Sequence, residues 1–241
     1  MTFPVEIALP GWTLAWARLE LLPGAVEAVA QARAAAAAVA RQGGLDPTEP
    51  VVAAIRRLFR EAGTDPTRYR PSSEALVRRV LKGEELPAIH PLVDLNNCLS
   101  VTLRVPSCVM AERSFEPPVH LRRGSPGERM DSLRGELDLA GKPLLADAQG
   151  PFGTPITDSH RVAVRPETRA GWLVAYLPAE AVAASAVEAL LSRELAGVAA
   201  VATFFVSETS ETAENSETSE TSETSETSET SGASSGHPAA R

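Results

Sequence analysis

Residues 144–161 read LLADAQGPFGTPITDSHR. The run opens as a short apolar strand, Leu144 to Ala146, and turns at Asp147. Gly150, Pro151, Gly153 and Pro155 then punctuate the chain until the next apolar run, which predicts a shaped loop with neither helix nor strand pattern. Asp147, Gln149, Thr154, Thr157, Asp158, Ser159, His160 and Arg161 ride on it. Polar groups on a loop tied to a strand are where binding and catalytic side chains tend to sit, although such a segment serves equally as a plain turn between strands.

Around this loop the pattern is one of short pieces broken by Gly and Pro: VHLRRG from Val119, then MDSLRG, LDLAGKP and LLADAQG. These read as consecutive strands of an antiparallel sheet or barrel. WLVAYL at 172–177 is a further strand, 178–196 an amphipathic helix carrying Leu190, Leu191 and Leu195, and 198–206 a last apolar strand. Upstream, 13–22 predicts a strand with Trp12 and Trp16 as core or edge aromatics. The Ala-rich segment 24–41 is a strong helix former ending at Gly43 and Gly44.

A second helix is expected from Asp46, with Pro47 in its first turn and Glu49 at capping-box spacing; Val52, Ile55, Leu58 and Phe59 form its apolar stripe. A third spans about 73–82, capped by Ser72 or Ser73 and stopped by Gly83. Leu92, Leu95, Leu99 and Leu103 predict a buried helix over 91–104, bearing Asp94, Asn96 and Asn97. Buried carboxylates and amides must be hydrogen-bonded, so tying this helix to neighbouring loops is one role for them. Helices lead and strands follow, with one late helix, so the class is α+β.

The net charge of −8 over 241 residues is misleading about the folded part. Residues 207–241 form a Ser-Glu-Thr repeat with eight glutamates, one arginine and no aliphatic side chain larger than Ala; such a segment is expected to stay disordered. Without it, 23 acids face 22 bases. Charge is uneven only between Ile55 and Gly83, where Arg56, Arg57, Arg60, Arg68, Arg70, Arg78, Arg79 and Lys82 outnumber Glu61, Asp65 and Glu74. Such an excess suits contact with a phosphate backbone, and it equally describes a solvated helix face.

No secretory leader and no membrane span are recognisable, which predicts a soluble cytoplasmic protein. Cys98 and Cys108 are too few for a disulfide framework or a zinc site, so free thiols and no metal are expected. Phosphate-binding glycine loops and HExxH are missing as well, and no cofactor is expected. Asp158, Ser159 and His160 are consecutive and cannot form a nucleophilic triad with one another, because neighbouring side chains point apart. Chemistry at this loop would rest on positioning a water by hydroxyl, carboxylate and backbone N–H groups.

Four segments occur in an order that resembles a known family: YRPSSEALVRRVLKG from Tyr69, IHPLVDLNNCLSVTLRVP from Ile89, MDSLRGELDLAGKPLLADAQGPFG from Met130, and PETRAGWLVAY from Pro166. They resemble the B3/B4 tRNA-binding domain of the phenylalanyl-tRNA synthetase beta subunit, which also exists free-standing, over about residues 12–177. PLVDLNN, LADAQGPFG and PETR are the most specific pieces. The resemblance implies helices flanking a barrel-like antiparallel β-sandwich in residues 1–206. It also implies an editing pocket, lined by the PLVDLNN helix, the segment after it and the Gly-rich loop, that hydrolyses a mischarged aminoacyl-tRNA ester.

The chain departs from that family where the synthetase carries Pro-x-His and an aromatic: here stand Pro106, Ser107 and Cys108. The longer glycine tract with a Glu is replaced by residues 153–159, in which only Asp158 supplies a carboxylate. Motifs for activating an amino acid with ATP are missing, which excludes a complete synthetase.

The expected pocket residues are therefore Asp94, Asn97, Cys108, Gly153, Thr154, Thr157, Asp158, Ser159, His160 and Arg161, with no catalytic group assigned. The expected phosphate contacts are Arg56, Arg57, Arg60, Arg70, Arg78, Arg79 and Lys82. The expected partner is tRNA or aminoacyl-tRNA, with hydrolysis in trans. A non-catalytic module for an amino-acid-like small molecule, without RNA, is the alternative.

Overall fold

Alternation along one strand organises the molecule. In β2 (Trp12–Leu21), Trp12, Leu14 and Trp16 face one hydrophobic cluster while Ala15, Ala17 and Leu19 face another. Successive side chains of a strand point to opposite faces, so a strand apolar on both faces belongs to a sheet covered on both sides. The computed structural model, which describes residues 2–209, shows that arrangement.

β2 lies in an antiparallel sheet of order β10-β2-β9-β3, with β3 at Ser107–Ala111, β9 at Ala170–Pro178 and β10 at Ala199–Glu208. One face carries Cys108, Met110, Trp172, Val174 and Tyr176 and packs on a second sheet; the other carries Val109, Leu173, Ala175 and Leu177 and packs on helices. The second sheet has the order β1-β4-β7-β8, from β1 (Val5–Ile7), β4 (Val119–Arg123), β7 (Pro143–Asp147) and β8 (Gly150–Gly153). A hairpin of β5 (Arg129–Ser132) and β6 (Gly135–Asp138) belongs to neither sheet's ladder and packs through Met130 and Leu137 on Leu144 and Ala146 of β7.

The helices are α1 (Ala25–Gly43), α2 (Pro50–Glu61), α3 (Ser72–Leu81), α4 (Pro91–Leu103) and α5 (Ala184–Arg193). α1, α3, α4 and α5 cover the central sheet, whereas Ile55, Leu58 and Phe59 of α2 enter the core between the sheets. Full burial of side chains the size of Trp12, Trp16 and Phe59 contributes roughly 1.5–3 kcal/mol or more each. The fold is thus α+β, a two-sheet sandwich flanked by helices.

Several expectations are corrected. α2 starts at Pro50 rather than Asp46: the Glu49 carboxylate accepts from Val51 N and Val52 N, while Asp46 closes its own turn through Thr48. α3 is capped by neither Ser72 nor Ser73, because the Ser72 N–H donates to the carbonyl of Pro155. Gly83, at φ +85°, takes the left-handed conformation that ends α3. α5 is shorter than 178–196, since its first residues are spent on a turn in which Ala181 N and Val182 N donate to Pro178 O.

Two strands precede every helix, and β1 pairs parallel with β4, so the second sheet is not wholly antiparallel. β3 went unread in the sequence because Pro106 and Ser107 mask a short apolar run. β10 continues through Ser207 and Glu208, paired with Leu14 and Thr13, so the folded chain runs past residue 206. The expected disorder of the remaining repeat lies outside the described residues. No described helix is long and apolar enough to cross a membrane.

Candidate functional site

The loop after β7 is less irregular than its glycines and prolines suggest. Gly150–Gly153 is strand β8, reached through a turn in which Gly150 adopts φ +114° and Asp147 Oδ1 accepts from Gln149 N. A second turn follows. Thr154 N donates to Thr157 O, and the Thr154 hydroxyl donates to that carbonyl while accepting from Ile156 N and Thr157 N. Ser159 N then returns to Phe152 O, and a 3₁₀ turn, His160–Val162, ends the segment with Ser159 Oγ accepting from Arg161 N. Short polar side chains bonded to their own backbone are what hold such turns rigid.

This rigid loop forms one wall of a cavity of about 360 Å3. Thr154, Ile156, Thr157 and Asp158 face Asn96, Asn97 and Val93 of α4 and Ser107 and Val109 of β3. Ser72 and Leu76 of α3 and the Leu133–Arg134 turn of the small hairpin close the remaining sides.

Buried polar atoms are nearly always hydrogen-bonded in folded proteins, and one left without a partner costs about 1–3 kcal/mol. Among the described residues, five buried side-chain polar atoms have none. Three of them, Ser72 Oγ, Asn96 Oδ1 and Asp158 Oδ1, belong to residues lining this cavity. Asn96 Nδ2 is meanwhile engaged with Ser107 O at 3.4 Å, and Ser107 Oγ donates to Asn96 O. The Asn97 amide forms no hydrogen bond to the protein.

Asp158 as a residue is half-buried, but its Oδ1 is sequestered. Burial pushes its carboxyl up to about 7, with the Cys108 thiol and the charge of Arg134 opposing. Behind it Cys108 Sγ lies 3.5 Å from Tyr176 Oη, both fully buried. Burial, reinforced by the Asp158 carboxylate, pushes the Cys108 thiol well up, and burial does the same for the Tyr176 hydroxyl. Gly153 lines the same nook, since a Cβ there would sit 3.4 Å from Asp158 Oδ1 and 3.5 Å from Cys108 Sγ.

Of the ten expected pocket residues, Asn97, Thr154, Thr157 and Asp158 line the cavity. Cys108 and Gly153 form the layer behind Asp158. The others have different occupations. Asp94 accepts from Ile89 N and His90 N at the start of α4 and pairs with Arg33. Ser159 caps the 3₁₀ turn and His160 is exposed. Arg161 makes a two-pronged ion pair with Asp147 at 2.9 Å and also donates to Gly150 O. Ser72, Asn96, Ser107, Arg134 and Tyr176 were not singled out; only Asn96, beside Asn97 on the same helix, left a usable signal in the sequence.

The basic segment divides too. Arg56 is bound by both carboxylate oxygens of Glu74, itself only 3% exposed, at 2.7 Å, so it is a structural tie. Arg57 pairs with Glu180, and Arg79 with Glu84 and the Glu85 carbonyl. Arg60, Arg78 and Lys82 are exposed and Arg70 is half-buried; none of them forms an ion pair with another described residue, although the charge of Arg60 helps hold the Asp65 carboxyl down.

A larger cavity of about 550 Å3 lies beside Phe3, Phe115 and Trp172. Its aromatic walls contact one another edge-on and its Arg18 is already paired with Glu112, so size does not make it the site. No group of three described His, Cys, Asp or Glu side chains could hold a metal ion.

The family model described as "B3/4 domain" matches residues 54–197, which include every wall of the Asp158 cavity. The chain belongs to the B3/4 domain family. Among solved structures, it is similar to an N-terminal fragment of the phenylalanyl-tRNA synthetase beta-subunit from Pyrococcus horikoshii. The identity is 14% and the TM-score 0.35; the match covers 73% of this chain and 43% of that one. No match is found among curated proteins. The cavity is built from the segments that carried the sequence resemblance: the LNN helix, the residues after it and the loop after β8.

Proposed function

We propose that this B3/4 domain binds tRNA and receives the aminoacyl group of a charged tRNA in the Asp158 cavity, releasing the amino acid in trans. The observation that carries this reading is one cavity walled by the asparagines of α4, the start of β3 and the Asp158 loop, with Asn97, Ser107, Thr157 and Asp158 in its lining. An ester is already activated, so a site that orders a water and stabilises the oxyanion can hydrolyse it without a nucleophile of its own. Asn97, Ser107 and Thr157 are the neutral polar groups available to hold that water. Cys108 is not a nucleophile in this scheme: it is buried behind the wall, with its thiol far from ionising at neutral pH. The RNA body would meet the exposed cations Arg60, Arg78 and Lys82.

The test is a panel of aminoacyl-tRNAs incubated with the protein, scored for released amino acid. Release from at least one is expected; a panel that stays wholly intact ends the hydrolytic reading. The lack of an accessible nucleophile favours one alternative, a binding module for an amino-acid-like ligand. Binding of that ligand without turnover, and tRNA affinity that is absent or flat with salt, would select it.

A further inference from the structure

The lining of the cavity holds two charged residues, Asp158 in its loop wall and Arg134 at the tip of the β5–β6 hairpin; the other described residues of the lining are neutral. The tip is fixed by its own chemistry. Gly135 turns the chain at φ +98°, the Ser132 hydroxyl accepts from Arg134 N and donates to Gly135 O, and Leu133 N donates to Asp158 O at 2.9 Å. A glycine in the left-handed region and a short polar side chain closing its own turn hold such a tip in one shape. The residue before Arg134 is thus bonded to the backbone of Asp158 itself. The guanidinium is delivered to the same place, since its charge opposes the upward push of burial on the Asp158 carboxyl.

The two charges do not cancel. No ion pair between described residues joins them, and one Asp158 oxygen is turned toward the Cys108 thiol. Burial holds that carboxyl up at about 7, so near neutral pH it is ionised in only part of the molecules. Neighbouring acids are spent elsewhere: Glu136 pairs with Arg129, Glu128 with Arg122, and Asp138 accepts from Ala140 N. Asp131 is exposed and forms no ion pair with a described residue. A solvated arginine on a hairpin tip is ordinary by itself. In the lining of a cavity with otherwise neutral walls it sets the sign of the local potential, which a low-dielectric surround strengthens.

On the reading of this cavity as the binding site, we propose that its ligand carries an anionic group, a phosphodiester or a carboxylate, which Arg134 receives at the hairpin edge. A phosphodiester adjoins the terminal ribose of an RNA chain; a carboxylate is what a small-molecule ligand would bring instead. A guanidinium holds either through two parallel N–H donors.

Two probe pairs separate these sources in calorimetric titrations of the full chain. One is the methyl ester of adenosine 5′-monophosphate, a phosphodiester, against adenosine; the other is N-acetyltyrosine against N-acetyltyrosinamide. In at least one pair the anion should bind about tenfold tighter or better, as expected for one charge-assisted contact. Arg134→Ala should remove that preference without changing the neutral member's affinity. Arg134→Lys should keep part of it, and added salt should shrink it. Arg134 is exposed and its turn is held through its backbone N–H, so both variants should unfold thermally with the wild type.

A preference in the nucleotide pair alone assigns the anion to RNA, and one in the carboxylate pair alone assigns it to a small molecule. Equal binding within both pairs, no binding of either anion at millimolar concentration, or a preference that survives Arg134→Ala overturns the assignment. Release of amino acid from an aminoacyl-tRNA with kinetics that Arg134→Ala does not alter sinks it too, and leaves the hydrolytic reading standing. An Arg134-dependent anion preference in a protein that leaves every aminoacyl-tRNA intact does the reverse.

Discussion

Asp147 and Asp158 stand at the two ends of the same loop, and their surroundings are opposite. The Asp147 side chain is fully buried, yet its oxygens accept from Arg161 twice and from the backbone N–H groups of Glu116 and Gln149. Burial alone would raise that carboxyl, but these bonds hold it below the usual carboxylate range. Asp158 has the Cys108 thiol and the charge of Arg134 against burial, which raises it to about 7. One aspartate is finished by the protein and fixes the loop. The other stands in a cavity wall with no ion pair among the described residues and one oxygen turned toward the Cys108 thiol.

Breaking the finished end should have the largest effect. Arg161→Ala strands the Asp147 carboxylate in the interior and should lower stability by about 3–5 kcal/mol in urea unfolding, with the loop lost as a unit. At the open end the change should be smaller and should depend on pH. The Asp158 carboxyl is protonated in both states below its unfolded value of 3.8, and its neutral form favours the fold there. That contribution is lost as pH rises through about 7. Relative to Asp158→Asn, the wild-type protein should therefore lose stability progressively between about pH 4 and about pH 7. An Asp158→Asn difference that does not vary with pH would show the two aspartates to be alike.

The same contrast runs through the basic helices. Arg78 and Lys82 are exposed and have no ion-pair partner among the described residues, where Arg56 is consumed by Glu74. Arg78→Ala with Lys82→Ala should reduce the salt dependence of tRNA binding by about two phosphate contacts while changing stability by no more than about 0.5 kcal/mol. Filter binding across a salt series reads the first and thermal unfolding the second. The smallest effect is expected of Gly153→Ala. Its methyl would meet Asp158 Oδ1 and Cys108 Sγ at ordinary contact distance, so the fold should hold within about 1 kcal/mol in thermal unfolding.

Much of this molecule was legible in the chain itself. Apolar runs gave the long strands β2, β9 and β10, and leucine spacing gave α4, because both patterns are written by neighbours in sequence. The loop after β7 was recognisable as shaped, yet its strand β8 was hidden by Gly150, Pro151 and Gly153, which lower strand propensity without forbidding an edge pairing with β7. The start of α2 and the cap of α3 were misplaced for a similar reason. Asp46 and Ser72 have the chemistry of caps, but Glu49 and the carbonyl of Pro155 reached the open N–H groups first.

Sequence determined the family, the α+β layout and the presence of a polar loop beside the Asn-bearing helix, since these depend on local periodicity and on residue order. Only the tertiary structure decided which polar groups are spent and which are open. Asp94 and Asp158, or Arg56 and Arg78, are equivalent by type; they differ in whether a distant segment delivers a partner. Hydrogen-bond completion in a buried site depends on which distant segments meet, so Asp147 could be closed by Arg161 while Asp158, on the same loop, was left facing the cavity.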